Sequence, residues 1–160
     1  MNQYPQCRDE KEQRKLFSKI AVIGAYLKRR SNLIFITAQN PMVSVKEVQF
    51  CIEESIRNLS LYGAECSFMS CCDGVISGDT AMRIYDCFEE VVEKTLDGLT
   101  ALSAHLKLQG NKAAFHLSVE CQESLADIAV VQGASVEQDF DGAWLISLDL
   151  PVGGEKHDFV

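Results

Sequence analysis

The end of the chain restricts its fold most. Gly133-Ala134-Ser135-Val136-Glu137-Gln138-Asp139-Phe140-Asp141-Gly142-Ala143-Trp144-Leu145-Ile146-Ser147-Leu148-Asp149-Leu150-Pro151 reads as two strands joined by a tight turn. The first strand follows a glycine, and the second alternates apolar residues until Leu150-Pro151 stops it. An isolated hairpin is barely stable in water, so these strands must join others upstream.

Upstream the apolar period changes several times. Leu16, Ile20, Ile23 and Leu27 recur at helical spacing and predict a helix over 8–30, with Lys28-Arg29-Arg30 at the negative end of its dipole. Ser31-Asn32 punctuates it, and Leu33-Ile34-Phe35-Ile36 reads as a short strand ended by Asn40-Pro41. Ser44 can cap a second helix, with Glu47 completing a capping box and Val48, Ile52, Ile56 and Leu59 on its apolar side. Gly63 is placed to end that helix in a left-handed conformation. Ala64 to Ser70 is extended, and Asp73-Gly74 turns the chain. A third helix starts at Gly78 or Asp79 and runs to about Leu96. Met82, Tyr85, Phe88, Val92 and Leu96 form its apolar face, broadened by Ala81, Ile84, Val91 and Thr95, which predicts deep burial. Leu102 to Leu108 and Ala113 to Val119 are strands around Gln109-Gly110-Asn111-Lys112, a hairpin signal. Phe115, Leu117 and Val119 alternate with His116, Ser118 and Glu120, so one face meets a core. Residues 122–131 are left as a short helix or an irregular connection.

The order is helix, strand, helix, strand, helix, then four strands. It predicts an α+β two-layer sandwich, with helices covering one face of a mixed sheet. At 160 residues and 47% hydrophobic, the chain is long and apolar enough for one packed core. No apolar stretch is long enough to span a bilayer, and the charged N-terminal residues show no signal peptide. A net charge of −8 argues against nucleic acid or an anionic membrane as partner. Seven cysteines, an odd number without a signal peptide, fit a reducing cytoplasm. Cys66, Cys71 and Cys72 lack the paired spacing of a zinc site and read as structural thiols. The histidines, His105, His116 and His157, fall on strands and the tail, where a structural or solvent-facing role is the better reading.

The terminal hairpin and this element order resemble the ATP-binding domain of bacterial sensor histidine kinases, of the GHKL/Bergerat, or HATPase_c, type. Ala25-Tyr26-Leu27-Lys28-Arg29-Arg30-Ser31-Asn32-Leu33 is similar to the junction between dimerisation helix and ATPase domain in some Gram-positive sensor kinases. The resemblance divides the chain into an N-terminal helix (1–31) like the end of a dimerisation helix, a histidine-kinase-like ATPase domain (32–151) and a tail (152–160).

It also implies where nucleotide would sit. The family's metal-binding helix carries a glutamate and, four residues on, an asparagine; these positions fall here on Glu90 and Lys94. A protonated lysine cannot ligate Mg²⁺, although it could neutralise a phosphate or pair with Glu90 along the helix. A shift of one residue would substitute Glu89 and Glu93. The adenine-reading aspartate falls on Cys121, a thiol that accepts hydrogen bonds weakly, and the glycine after it falls on Glu123. The family's long glycine-rich lid is reduced to about ten residues without glycine before Gly133. No acceptor histidine precedes residue 105.

The expectation is a degenerate histidine-kinase-like ATPase domain, a pseudokinase serving as an interaction or scaffold module in bacterial signal transduction, with no cofactor. Its partners would be signalling proteins or a second copy through the N-terminal helix, unless that helix lies on its own domain. One alternative is the catalytic fragment of a sensor kinase, binding ATP and Mg²⁺ divergently through Glu90, Lys94, Cys121 and Gly133, with Glu90 on the metal. The other is an anti-sigma-factor-like protein holding a protein partner.

Overall fold

The computed structural model describes residues 4–70, 73–127 and 133–153, with side chains described from residue 9. The first helix, α1, is a single run of 36 residues, Tyr4–Gln39. This corrects two expectations: the helix does not stop at Arg30, and Leu33-Ile34-Phe35-Ile36 is its last stretch, not a strand. The physical reason is tertiary. Val22, Tyr26, Leu33 and Ile36 continue one helical stripe and pack on the core, with Leu33 almost fully buried. Ser31 does not break the helix because its hydroxyl donates to the Leu27 carbonyl one turn back (2.8 Å), a bond a helix interior tolerates. Asn40-Pro41 stops it.

After a three-residue strand β1 (Met42–Ser44) comes α2 (Val45–Leu61). Ser44 caps α2 as expected, its hydroxyl accepting from the Lys46 amide at 3.3 Å. Gly63, with φ of 103°, ends it in the conformation that glycine adopts at no steric cost. Val48, Ile52, Ile56 and Leu59 are all buried. β2 (Glu65–Ser70) follows, then β3 (Val75–Ser77), an element the sequence did not reveal. β3 pairs antiparallel with β1 in a two-stranded sheet too short to show a period.

The third helix, α3 (Gly78–Thr95), is capped by Ser77, whose hydroxyl accepts from the Thr80 amide at 3.1 Å. Both of its expected apolar sets are buried except Met82, which is half-buried. α1 crosses close to its start: a Cβ on Gly78 would overlap the Thr37 side chain, so only glycine fits there. Lower down, Asp86 on α3 ties α1 in place. It accepts from the Tyr26 hydroxyl (2.7 Å) and from Arg30 Nε (3.0 Å), and Lys19 pairs with Asp97 at 2.8 Å.

The strands β4 (Leu99–Gln109), β5 (Lys112–Cys121), β6 (Ala134–Gln138) and β7 (Trp144–Pro151) complete a five-stranded sheet of order β2-β4-β5-β7-β6. Among the described strands only the β2–β4 pair is parallel; α3 makes the crossover between them. The terminal hairpin forms as expected, with β7 paired between β5 and β6. Leu102, Ala104, Leu106, Phe115, Leu117, Ile146 and Leu148 face the helices and form the core with α2 and α3. Among the described residues, no element covers the opposite face of the sheet. The architecture is the expected α+β sandwich, a mixed sheet covered by helices on one face.

Candidate functional site

The residues expected around a nucleotide are spread over α3, the end of β5 and the start of the last hairpin. Glu90 and Lys94 are both exposed on that helix, one turn apart, and no ion pair joins them. Cys121 ends β5, half-buried, its thiol donating to the Glu123 carbonyl at 3.3 Å. Burial first, and then the Glu123 charge, push that thiol above its ordinary range, so it stays neutral. Gly133 begins the last hairpin with φ of 98°, and a Cβ there would come within 3.9 Å of the Arg83 guanidinium of α3. Arg83 stands seven residues before Glu90, hence on the same side of the helix. No hydrogen bond connects Glu90, Lys94, Cys121 and Gly133 with one another.

Where α3 ends, a Cβ on Gly98 would meet Gln122 Cβ at 3.0 Å and Glu123 Oε2 at 2.9 Å, so the segment after β5 packs directly on the helix end. The Gln122 amide donates to the Gly98 carbonyl at 3.3 Å. Two residues further, Leu125 is fully buried and belongs to the core. The rest of this connection, 128–132, lies outside the described residues, as do Cys71, Cys72 and His157.

The adjacent glutamates Glu89 and Glu90, the two registers of the metal-binding position, have opposite surroundings. Glu90 faces solvent, whereas Glu89 is 2% exposed and points between α2 and α3. Its Oε1 accepts from the Ser55 hydroxyl at 3.0 Å, and Oε2 has no partner. The Tyr85 hydroxyl approaches the same carboxyl without meeting hydrogen-bond geometry. Burial pushes the Glu89 carboxyl up to about 7, against the pull of Ser55. The sequence carried a signal for this: Glu89 stands four residues after Tyr85 and three before Val92, inside the apolar stripe.

Among the described residues no three His, Cys, Asp or Glu side chains cluster as metal ligands. Cys51, Cys66, Cys87 and Cys121 are free thiols. Burial raises Cys51 to about 11 and Cys87 to about 12, which leaves them unreactive. No described helix is long and apolar enough to cross a membrane.

No protein-family model matches the chain, and no curated protein is significantly similar to it. Solved structures do match. A bacterial phosphotransferase superposes with a TM-score of 0.58 at 10% identity, over 86% of this chain and 78% of that one. A histidine kinase from Burkholderia phymatum gives 0.56 at 8% identity, over 78% and 76%. The histidine kinase domain of a blue-light-activated kinase from Erythrobacter litoralis gives 0.52 at 13% identity, over 79% and 75%. At such identities the likeness is one of fold. The mixed sheet, the helices on its one face and the long helix leading into them are those of the histidine-kinase ATP-binding fold.

Proposed function

We propose that this chain is a histidine-kinase-like ATPase domain without productive nucleotide chemistry, a cytoplasmic protein-interaction module in a bacterial two-component pathway. Leu125 carries the reading: in the short connection that replaces the family's lid, an apolar side chain is driven into the core. The described part of the connection is thereby anchored to the framework and not left free as a cover for a triphosphate. Lys94 in place of a metal-binding amide, and Cys121 in place of an adenine-reading carboxylate, support the same conclusion. The kinases and the phosphotransferase that share the fold support a place in phosphoryl signalling, but α1 has no histidine to receive a phosphoryl group.

The test is thermal unfolding with ATP, ADP and their Mg²⁺ complexes. A bound nucleotide adds stability as RT ln(1 + [L]/Kd), several degrees at saturation for a domain of this size. The expected response is flat. Saturable stabilisation that disappears in Glu90→Ala would replace this reading with the divergent kinase.

The interaction surface is α1. Its two sides divide the labour that the sequence left as alternatives. Val22, Tyr26, Leu33 and Ile36 lie on the domain, while Leu16, Ile20, Ile23 and Leu27 stay exposed, Leu16 at 58%. The exposed set has the alternating 4-3-4 spacing of a coiled-coil seam, which a second copy of the same helix would cover. Residues 1–31 then act as the dimerisation segment and 32–151 as the domain, with α1 running unbroken across the boundary between them. Sedimentation should give a dimer for the native chain and a monomer for Ile20→Glu/Ile23→Glu, with unchanged folding. A monomeric native chain refutes the dimer and points to a different protein, such as a sigma factor, on the same helix.

A further inference from the structure

The open face of the sheet carries two imidazoles in direct register. His105 of β4 stands opposite His116 of β5, and both are exposed while their strand neighbours, Ala104, Leu106, Phe115 and Leu117, are buried. We infer that this pair is a binding site for a late first-row divalent cation, of the Ni²⁺, Cu²⁺ or Zn²⁺ class.

The argument starts from spacing. Directly opposed residues of an antiparallel pair hold their Cβ atoms about 4.5–5.5 Å apart. Two imidazoles on such positions can each bring a ring nitrogen to about 2.0–2.1 Å from one ion. The register supplies this without any movement of the backbone, so no loop has to be ordered for the ion to bind. Water fills the remaining positions on the solvent side.

A second observation concerns His116. Its Nδ1 lies 3.0 Å from the Ser147 hydroxyl of β7, its neighbour on the other side. With Nδ1–H donating to that hydroxyl, the lone pair is left on Nε2, at the outer end of the ring. Metal-binding histidines are oriented in this way by a partner on the other nitrogen.

The surroundings choose the class of ion. Both rings line a hollow of about 470 Å³ together with Met69, which faces His105 across the β2–β4 pair. Lys107 lines the same hollow, and among the described residues no carboxylate does. Ca²⁺ and Mg²⁺ need oxygen ligands and would meet only a lysine charge. Imidazole suits Zn²⁺, Cu²⁺ and Ni²⁺, which bind nitrogen strongly enough to tolerate that charge.

The test is a Ni²⁺ titration of the native chain, read from the imidazole resonances of its three histidines. Paramagnetic broadening should appear at His105 and His116 together, ahead of His157, and Mg²⁺ should produce no change. His105→Ala, a substitution on the solvent face, should move the broadening of His116 to at least tenfold higher Ni²⁺. Ser147→Ala should weaken binding about tenfold through the freed ring. Acidification should release the ion, because protons compete for the same lone pairs. Broadening of His157 first, or of His116 at unchanged Ni²⁺ in His105→Ala, overturns the site. Cys71 and Cys72 follow β2 closely in the sequence, so the titration is repeated with both changed to serine. An unchanged histidine response assigns the ion to the imidazoles, and loss of the response overturns the proposal.

Discussion

Replacing Leu125 with alanine is expected to destabilise the protein by about 2–5 kcal/mol and to lower its melting temperature by roughly 10 °C. The side chain is fully enclosed by the core, so truncation removes its transfer free energy and leaves a cavity that the sheet and α3 cannot close completely. The measurement also separates the two functional readings. A mobile nucleotide lid contributes little to global stability, and truncating one of its residues would leave the transition where it was. A large drop places the segment in the framework. An unchanged transition would return it to the role of a lid and remove the main support for a domain without nucleotide chemistry.

The second large effect is expected at Glu89 and depends on pH. In the unfolded chain its carboxyl has the ordinary value of 4.5, and in the folded protein burial raises it to about 7. Between these values the folded state binds the extra proton, so stability falls as pH rises. The stabilising contribution is complete below the unfolded value and is lost once pH passes the folded one. The separation corresponds to roughly 3 kcal/mol between pH 4 and pH 8. Asp86 and Glu93 on α3 add repulsion to the charged form, and the Ser55 hydroxyl of α2 opposes it. Arg29 and Arg30 of α1 are engaged elsewhere, with Glu54 and Asp86.

Glu89→Gln keeps a group that accepts from Ser55 but cannot ionise. Its stability, compared with the native protein, should rise across that window and be nearly equal at the acid end. Glu89→Leu should gain about 2–3 kcal/mol at pH 8, because it removes the buried charge and fills the same space with apolar atoms. Thermal unfolding of the three proteins at pH 5 and pH 8 decides the matter. If Glu89→Gln shows the same pH slope as the native chain, the carboxyl is not buried between α2 and α3 as described.

Several parts of the fold were legible because a local signal and a tertiary requirement coincided. Ser44 and Gly63 bracket α2 with cap chemistry that acts within a few residues. Gly110 turns β4 into β5 with φ of 57°, and the alternation of Phe115, Leu117 and Val119 tells which face is inside. Leu33-Ile34-Phe35-Ile36 misled because a four-residue apolar run suits a buried strand and a helix end equally well. Its state was decided by α2 and α3, which offer Leu33 and Ile36 a surface at helical spacing. β3 escaped notice because three residues cannot show a period.

The candidate site was legible in a similar, partial way. Of the expected positions, Glu90 and Lys94 are exposed one turn apart on α3, Cys121 ends β5, and Gly133 lies beside Arg83 of α3. That Glu89 would be buried beside an exposed Glu90 depends on which side of α3 meets α2, a matter of packing across thirty-four residues of chain. Leu125 gives no sign in its neighbours, which are polar and small. The cross-strand meeting of His105 with His116 required the register of a hairpin to be known residue by residue.

By itself the sequence determined the alternation of helices and strands, the caps that bound two helices and the apolar faces that build one core, because periodicity and capping act over a turn or a pleat. Only the tertiary structure decided where α1 ends, which side of it is left for a partner, and which of two adjacent glutamates is enclosed. Those outcomes depend on surfaces brought together from distant parts of the chain, where burial outweighs the propensity of any short segment.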